Sequence, residues 1–581
     1  MSSKIHLLPE EIAQTIAAGE VVERPASVVK ELMENAIDAG SSEVVVELEA
    51  GGLQLIRVYD NGEGMVREDV PLALQRYATS KIKTAEDLFA IHTLGFRGEA
   101  LPSIASVSKM IIQSRVSNSI SGTRIAVEGG AIKSISEVGC PPGTEVEVKN
   151  IFYNLPVKRK FLKSIRSELR YVLFHFLRLS LSHSSISFKF IHDGRMLHEY
   201  VKADSPLVRI EAILGREIFD QIRPCEFEDN EIKIRGFTSL PSVSRANSEA
   251  IYIYVNRRFV KDRMIYKAIT ETYRHVLPAG RFPIVILFIT LPPYAVDVNI
   301  HPTKAEVRFR EPERIFHAVA GTIGSIHEEK VFSDRKVTSA MGVIKDSVPP
   351  WLPPKRSFDA YLPLTRRDEA MTTPMVREEG SLEWGVEARA PIRLLGQVQG
   401  TYIVCEGDEG VIFIDQHAAH ERILFDQYKN QYERKAIVSE KFLVPVSMEL
   451  SAEESFILDS HLEELESMGF EIDPIGERVY AIRSKPSLID QEDPKTIVRE
   501  LLDELSSLRR GGKGTEGTDK ILITLSCHSA IRGNSTLRKE EMEKLVETLY
   551  PFNFSKTCPH GRPIFFLFRE DELAKQFKRK P

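Results

Sequence analysis

Apolar residues Val29, Leu32, Met33 and Ala36 recur at helical spacing within residues 27–40 (SVVKELMENAIDAG) and predict one buried stripe. Glu31, Glu34, Asn35 and Asp38 then share the opposite face. Such a face suits an ordinary solvated surface, and equally a site where carboxylate and amide oxygens hold a hydrated cation while one carboxylate serves as a base. The period then changes: residues 43–48 (EVVVEL) and 53–59 (LQLIRVY) alternate and predict paired strands joined at Gly51-Gly52. Mixed helical and strand patterns continue to about residue 204, and a second α/β stretch occupies 205–331. Over 332–390 the periodicity gives way to a segment rich in proline and charge, which predicts a flexible linker. Strand patterns resume at 391–406 and 411–415, followed by a helix, and an acidic helical subdomain is expected as an insertion at about 440–520. The pattern predicts an α/β protein divided at 1–204, 205–331, 332–390 and 391–581.

Composition narrows the function classes. With 581 residues the chain is too long for one core. A net charge of -6 gives no global attraction to nucleic acid, so a DNA-binding surface has to be a local patch. Five cysteines (Cys140, Cys225, Cys405, Cys527, Cys558) argue against a disulfide framework and for a reducing compartment. No run approaches the roughly 20 apolar residues of a membrane span, and no secretory leader is evident, so a cytoplasmic location is expected.

Local chemistry follows the first strands. Asp60-Asn61-Gly62-Glu63-Gly64-Met65 places a carboxylate at a strand end before alternating glycines. That suits a nucleobase, with Asp60 accepting from an exocyclic amine, and it also suits a plain turn. Residues 78–82 (ATSKI) bring hydroxyls and an ammonium together, while 94–101 (LGFRGEAL) is a glycine-punctuated loop entering a helix, suited to anions. The chain has no GxxxxGK[ST] and is not a P-loop ATPase.

The segments KELMENAIDAG, DNGEGM, ATSKI, GFRGEAL and PPGTEVEVKNIFYNLPVKRKFL, in this order, resemble the MutL family of DNA mismatch-repair proteins. This family belongs to the GHKL ATPase group with gyrase, the large heat-shock chaperone and histidine kinases. The resemblance implies a GHKL ATPase domain, a second ribosomal S5-like transducer domain, a linker and a C-terminal dimerisation and endonuclease domain. It implies ATP with Mg²⁺ as cofactors. Glu31 would be the general base and Asn35 the Mg²⁺ ligand; Asp60 would read adenine, supported by Gly62, Gly64, Gly143 and Thr144. Thr79, Ser80, Lys81, Gly95, Phe96, Arg97 and Gly98 would fold over the triphosphate. Glu34 and Asp38 receive no chemistry from the resemblance and read as structural.

In the second domain, the turn after IYIYV carries Arg257, Arg258, Lys261 and Arg263, which fit a solvated loop; the matching turn of MutL-like proteins faces DNA phosphates. Residues 296–309 (VDVNIHPTKAEVRF) contain Lys304, which in this ATPase group reaches the γ-phosphate from the second domain. In the last third, Asp415, His417 and Glu421 cluster at a strand-to-helix junction, and Cys527, Cys558 and His560 add soft ligands, a combination suited to zinc or manganese. DQHAAHER, SCHSAIRG and CPHGRP resemble the nicking branch of the family, with Asp426 where glutamate is usual. His420 and His528 read as neighbours of the metal set. The resemblance implies a homodimer acting on duplex DNA with the mismatch-recognition protein MutS, and residues 440–446 (EKFLVPV) resemble a sliding-clamp docking segment with Glu440 in place of glutamine. A matchmaker scaffold without nuclease activity is the competing reading. A chaperone or topoisomerase of the same group is a more distant one, because no strand-breaking tyrosine motif is present.

Overall fold

A computed structural model of the chain describes residues 22–84, 87, 93–274, 276–278, 280–297, 307–337, 392–489, 493–507, 515–531, 535–549 and 557–579. Lys304 and nearly all of the expected linker lie outside the described residues.

The first domain is built on α1 (Pro25–Asp38), whose proline at its first turn costs no internal hydrogen bond. Val28, Val29, Leu32, Met33 and Ala36 are buried along it, matching the helical stripe. β1 (Glu43–Glu49) and β2 (Leu55–Asp60) pair antiparallel as expected. After α2 (Ala100–Ser106) come β3 (Lys109–Arg115), β4 (Gly122–Glu128), β5 (Ala131–Val138) and β6 (Gly143–Lys149). α3 (Ile165–Ser182), β7 (Ser187–His192) and β8 (Arg195–Tyr200) complete the domain. The eight strands form one sheet in the order β5-β4-β3-β6-β2-β1-β7-β8. α1 and α3 pack together above the sheet, and Val44, Val46, Leu48, Ile56, Met110 and Ile112 join their shared core. On the other face Arg57 bridges cross-strand carboxylates, donating to Glu47 at 2.5 Å and Glu147 at 2.7 Å, as strand alternation requires. Asp60 therefore ends a central strand, directly opposite Thr144 of β6.

In the second domain, β9 (Ile222–Glu228), β10 (Lys233–Ser239), β11 (Ile251–Val255), β12 (Arg258–Phe259) and β13 (Val285–Thr290) form a sheet ordered β12-β11-β13-β10-β9. α4 (Arg263–Tyr273) and α5 (Pro312–Val337) pack against it. α5 extends six residues past the boundary expected at 331. Asn256 and Arg257, with φ of 49° and 65°, make the tight turn between β11 and β12.

The C-terminal domain holds β14 (Arg393–Val398), β15 (Tyr402–Gly407) and β16 (Gly410–Asp415), followed by α6 (Gln416–Glu433). The expected helical insertion contains a sheet: β17 (Ser439–Glu449), β18 (Ile472–Gly476) and β19 (Val479–Pro486) pair in the order β17-β19-β18. β19 is buried on both faces along most of its length, so it shows no period-two signature. α7 (Pro494–Ser507), α8 (Thr515–Ser529), α9 (Lys539–Leu549) and β20 (Phe565–Arg569) follow, and β20 joins β14-β15-β16 as the fourth strand.

The insertion docks on both N-terminal domains: Arg170 of α3 in the first donates through Nη1 to the Ser506 carbonyl at 2.9 Å, and the second is held by ion pairs. Arg499 on α7 pairs with Glu217 at 2.7 Å, Glu454 pairs with Arg245 at 2.7 Å, and Glu500 pairs with Arg281 at 2.7 Å. Asp503 accepts from the backbone N–H of Ala246 at 2.9 Å. Arg245 and Glu454 are almost wholly buried, so truncating either partner leaves an uncompensated charge.

Candidate functional site

Two clusters gather the chemistry expected from the sequence. On α1, Glu31 and Glu34 both pair with Lys30, at 3.1 and 3.2 Å. Burial works to lower the Lys30 pKa, but Glu34 and Glu31 outweigh it and the net shift is upward. Lys81 of the ATSK segment donates to Asn35 Oδ1 at 2.9 Å and to Asp38 Oδ2 at 2.6 Å. A cation thus already sits between the amide and carboxylate oxygens of this face, which fits a donor set able to accept Mg²⁺. Asp38 also accepts from the backbone N–H groups of Leu94 (2.8 Å) and Gly95 (2.9 Å), so it anchors both the ATSK segment and the start of the GFRG loop. Sequence reasoning left Asp38 without a role; its place on the face that carries Asn35 was the available signal.

The turn that follows Asp60 lies against the C-terminal end of α1, where the Glu63 N–H donates to the Ala39 carbonyl at 3.0 Å. Asp60 Oδ1 accepts from the Gly62 N–H at 2.8 Å, and burial pushes its pKa up to about 6 against the lowering effect of hydrogen bonds from the Gly62 and Thr144 backbone. Gly62 has no room for a side chain, since a Cβ would lie 2.6 Å from the Ala39 carbonyl oxygen. Gly64 has φ of 70°, and a Cβ there would collide with the Arg115 carbonyl. Thr144 meets Ser114 Oγ at 2.8 Å beneath the same turn. Thr79 Oγ1 accepts from the Lys81 N–H at 3.2 Å, Ser80 is exposed, Phe96 is buried, and the Arg97 guanidinium lies 5.7 Å from the Phe96 ring centroid. The Gly98 carbonyl receives the Tyr77 N–H at 3.1 Å, joining the two glycine- and hydroxyl-bearing segments.

The four cations of the second domain do not share one surface. Arg257, Lys261 and Arg263 are exposed around the β11–β12 turn, but Arg258 is buried and donates through Nη2 to the Thr93 carbonyl of the first domain at 2.9 Å. Arg258 therefore lies off the exposed surface expected to meet DNA phosphates: it opens β12 opposite Val255 and is buried, while Arg257 lies in the preceding turn in solvent.

The second cluster lies in the C-terminal domain. Asp415 caps α6, its Oδ1 accepting from the His417 and Ala418 N–H groups at 3.0 Å each. One turn along α6, Glu421 is buried and sits 3.2 Å from His417 Nε2, 3.0 Å from Cys527 Sγ and 3.3 Å from His560 Nδ1. Cys527 Sγ lies 3.4 Å from His560 Nε2. Ligands held about 2.0–2.3 Å from one tetrahedral ion are about 3.3–3.8 Å apart, close to these separations, so oxygen, sulfur and imidazole donors fit zinc. Burial would raise the Glu421 pKa, but the bonds from His417 and Cys527 outweigh it and bring it down to about 2. Burial and the Glu421 carboxylate push the Cys527 thiol up. Cys558 is buried in the turn closed by its N–H to Arg562 O at 2.9 Å, and its thiol is felt electrostatically at Cys527. Asp426 pairs with Arg422 rather than joining the cluster. Of the uncommitted histidines, His420 Nδ1 accepts from the Ile531 N–H at 3.0 Å, and His528 lies 2.6 Å from Glu500.

A sheet covered by two packed helices, an acidic helix face and an adjacent DNGEG turn together define an ATPase of the gyrase and heat-shock chaperone class. Residues 23–144 match the family model described as histidine kinase-, DNA gyrase B-, and HSP90-like ATPase. Residues 210–328 match the C-terminal domain of DNA mismatch repair proteins, and 395–537 match the MutL C terminal dimerisation domain. The DNA mismatch repair protein MutL of Geotalea daltonii is 38% identical over 599 residues, and that of Geobacter sulfurreducens is 37% identical over 612, each alignment covering 100% of both chains. The chain belongs to the MutL family of DNA mismatch-repair proteins. Among solved structures, the Aquifex aeolicus MutL ATPase domain complexed with ADP is 31% identical, covers 52% of this chain and 98% of its own, and has a TM-score of 0.37. No helix of the described residues is long and apolar enough to cross a membrane.

Proposed function

We propose that this protein is an ATP-gated, homodimeric mismatch-repair factor that couples mismatch recognition by MutS to nicking of duplex DNA. The observation that carries the nicking half is the convergence of Glu421, Cys527 and His560, three residues drawn from distant segments whose ligand atoms lie within 4.8 Å of one another. In the first domain Glu31 is the general base toward the γ-phosphate, with Asn35 holding Mg²⁺ and Asp60 reading adenine. Lys81 exchanges its Asn35 and Asp38 partners for phosphate oxygens, and Thr79, Ser80 and residues 95–98 close over the triphosphate. Lys304 is the expected γ-phosphate contact from the second domain.

Arg257, Lys261 and Arg263 meet DNA phosphates, which gives affinity without sequence reading. Zinc or manganese bound at the C-terminal site would supply Lewis-acid chemistry toward the scissile phosphate and the attacking water. Asp415, His417, Glu421, Cys527, Cys558 and His560 hold and orient the ion. The two sites communicate through the docked insertion: Arg281 of the second domain pairs with Glu500, which contacts His528 beside Cys527. The exposed Leu395, Val398, Tyr402, Phe566 and Phe568 line the C-terminal sheet and supply the homodimer face. Leu443 and Val444 project fully into solvent from the irregular stretch of β17, which suits docking of a sliding clamp.

The purified full-length chain, given supercoiled plasmid and Mn²⁺, is expected to convert it to the relaxed circle, and Asp415→Asn to do so much more slowly. An intact plasmid under these conditions, with mismatch repair retained in cells carrying Asp415→Asn, would establish the scaffold reading instead.

A pH dependence follows from Asp60. Its carboxylate accepts from the adenine amine more strongly when ionised, and burial pushes its pKa up to about 6. ATP affinity should therefore weaken as pH falls through about 6, and Asp60→Asn should bind ATP weakly and without that inflection. Equilibrium binding of a fluorescent ATP analogue between pH 5 and 8 checks this. The sign for stability is opposite: with its pKa raised above the ordinary 3.8, Asp60 favours the folded state least above pH 6.

A further inference from the structure

Arg258 is 9% exposed, and its Nη1 is buried without a hydrogen-bond partner. Its other terminal nitrogen donates to the Thr93 carbonyl of the first domain at 2.9 Å. Thr93 in turn donates through Oγ1 to the Gly95 carbonyl at 2.7 Å, and Gly95 and Leu94 hang from Asp38 by their N–H groups. The guanidinium also feels the carboxylates of Glu34, Asp38 and Glu31, so it faces the acidic side of α1. A buried cation with an unsatisfied donor is costly unless something occupies that donor in a working state. The neighbouring groups on α1 and at 93–95 surround the pocket expected to take a triphosphate, the only anion in the proposed cycle that enters there.

We propose that Arg258 is a positioning residue of the ATPase site, contributed by the second domain: it holds residues 93–95 against α1 and offers its free N–H to a phosphate oxygen of the bound nucleotide. This rests on the reading of the α1 face as the nucleotide site. It gives the second domain a direct hold on the nucleotide pocket, through a residue whose neighbours in the chain, Arg257 and Lys261, are exposed on the DNA-facing turn. Nucleotide occupancy and the geometry of that turn are then mechanically joined at β12.

The test compares Arg258→Ala, Arg258→Gln and Arg258→Lys in the full chain, with Lys267→Ala, an exposed cation on α4, as the surface control. Arg258→Ala is expected to lower kcat for ATP about tenfold, with equilibrium ATP binding changed less than about threefold, because Asp60 and the glycine turn retain the base. Arg258→Lys should recover part of the loss, since an ammonium restores the charge but cannot reach Thr93 and a second acceptor as a planar fork does. Arg258→Gln should recover less than Lys. Lys267→Ala should leave both kcat and ATP binding unchanged. Thermal unfolding of each variant separates a folding defect, in which kcat and ATP binding fall together and Lys gives no rescue; that pattern overturns the proposal. So does a kcat within twofold of the unsubstituted protein for Arg258→Ala. Glu31→Ala serves as the reference: turnover retained in that variant defeats the reading of the site, whereas turnover lost there but kept in Arg258→Ala defeats the role of Arg258 alone.

Discussion

Glu31→Ala is expected to lower ATP turnover by about two to four orders of magnitude while leaving ATP binding within a few-fold of the unsubstituted protein. Glu31 lies one helical turn before Asn35 on the half-buried acidic side of α1, and its carboxylate is held by Lys30 at 3.1 Å. Lys30 also pairs with Glu34, and both carboxylates keep it protonated, so it orients Glu31 without taking over as a base. Alanine removes the proton acceptor but none of the groups proposed to bind adenine or metal, which is why rate and affinity should separate. Single-turnover phosphate release alongside equilibrium nucleotide binding measures both. Turnover within threefold of the original would move the base to another residue, and Glu34, buried and tied to Lys30, is poorly placed to be it.

Glu421→Gln should strip the C-terminal site of its metal and abolish nicking while ATP turnover continues. The Glu421 carboxylate touches an imidazole, a thiol and a second imidazole within 3.3 Å. The amide keeps the shape but removes the negative charge around which three neutral or cationic donors are arranged. Metal affinity should fall by at least about tenfold to a hundredfold, since even residues that merely orient a ligand carry effects of that size. Metal content per chain after dialysis, read by atomic emission, together with plasmid relaxation in Mn²⁺, checks the two halves separately. ATPase activity is the internal control, because Glu421 belongs to a different core from α1. Retention of a stoichiometric metal in Glu421→Gln would exclude Glu421 as a ligand. Nicking that survives metal loss would detach the reaction from this cluster.

Much of the architecture was legible before any coordinates. The apolar stripe of α1, the pairing of β1 with β2 and the strand end at Asp60 all follow from local periodicity, because a helix or a strand imposes its period on whatever it buries. The cluster around Glu421 was partly legible for the same reason: His417 and Glu421 share a face of α6 by spacing alone. Cys527 and His560 were nominated by residue type, and only the fold brings them to Glu421. Asp415 shows the limit of type and spacing, since its described hydrogen bonds are those of a helix cap.

Arg258 and the insertion mark where reading by pattern fails. A run of four cations in seven positions reads as one basic surface, yet Arg258, the first residue of β12, is buried against Thr93 while Arg257, in the turn before it, stays in solvent. The strand at Val479–Pro486 was missed because burial on both faces erases alternation. By itself the sequence determined the family, the acidic face of α1, the DNGEG turn at a strand end and the residue types that cluster around Glu421, all properties carried by near neighbours in the chain. Only the tertiary structure decided that Asp38 anchors Lys81 and the loop at Leu94 and Gly95, that Arg258 is buried against Thr93 of the first domain, and that α7 contacts both N-terminal domains. Each depends on which surfaces meet across more than forty residues of chain, and that is set by packing and charge complementarity rather than by local spacing.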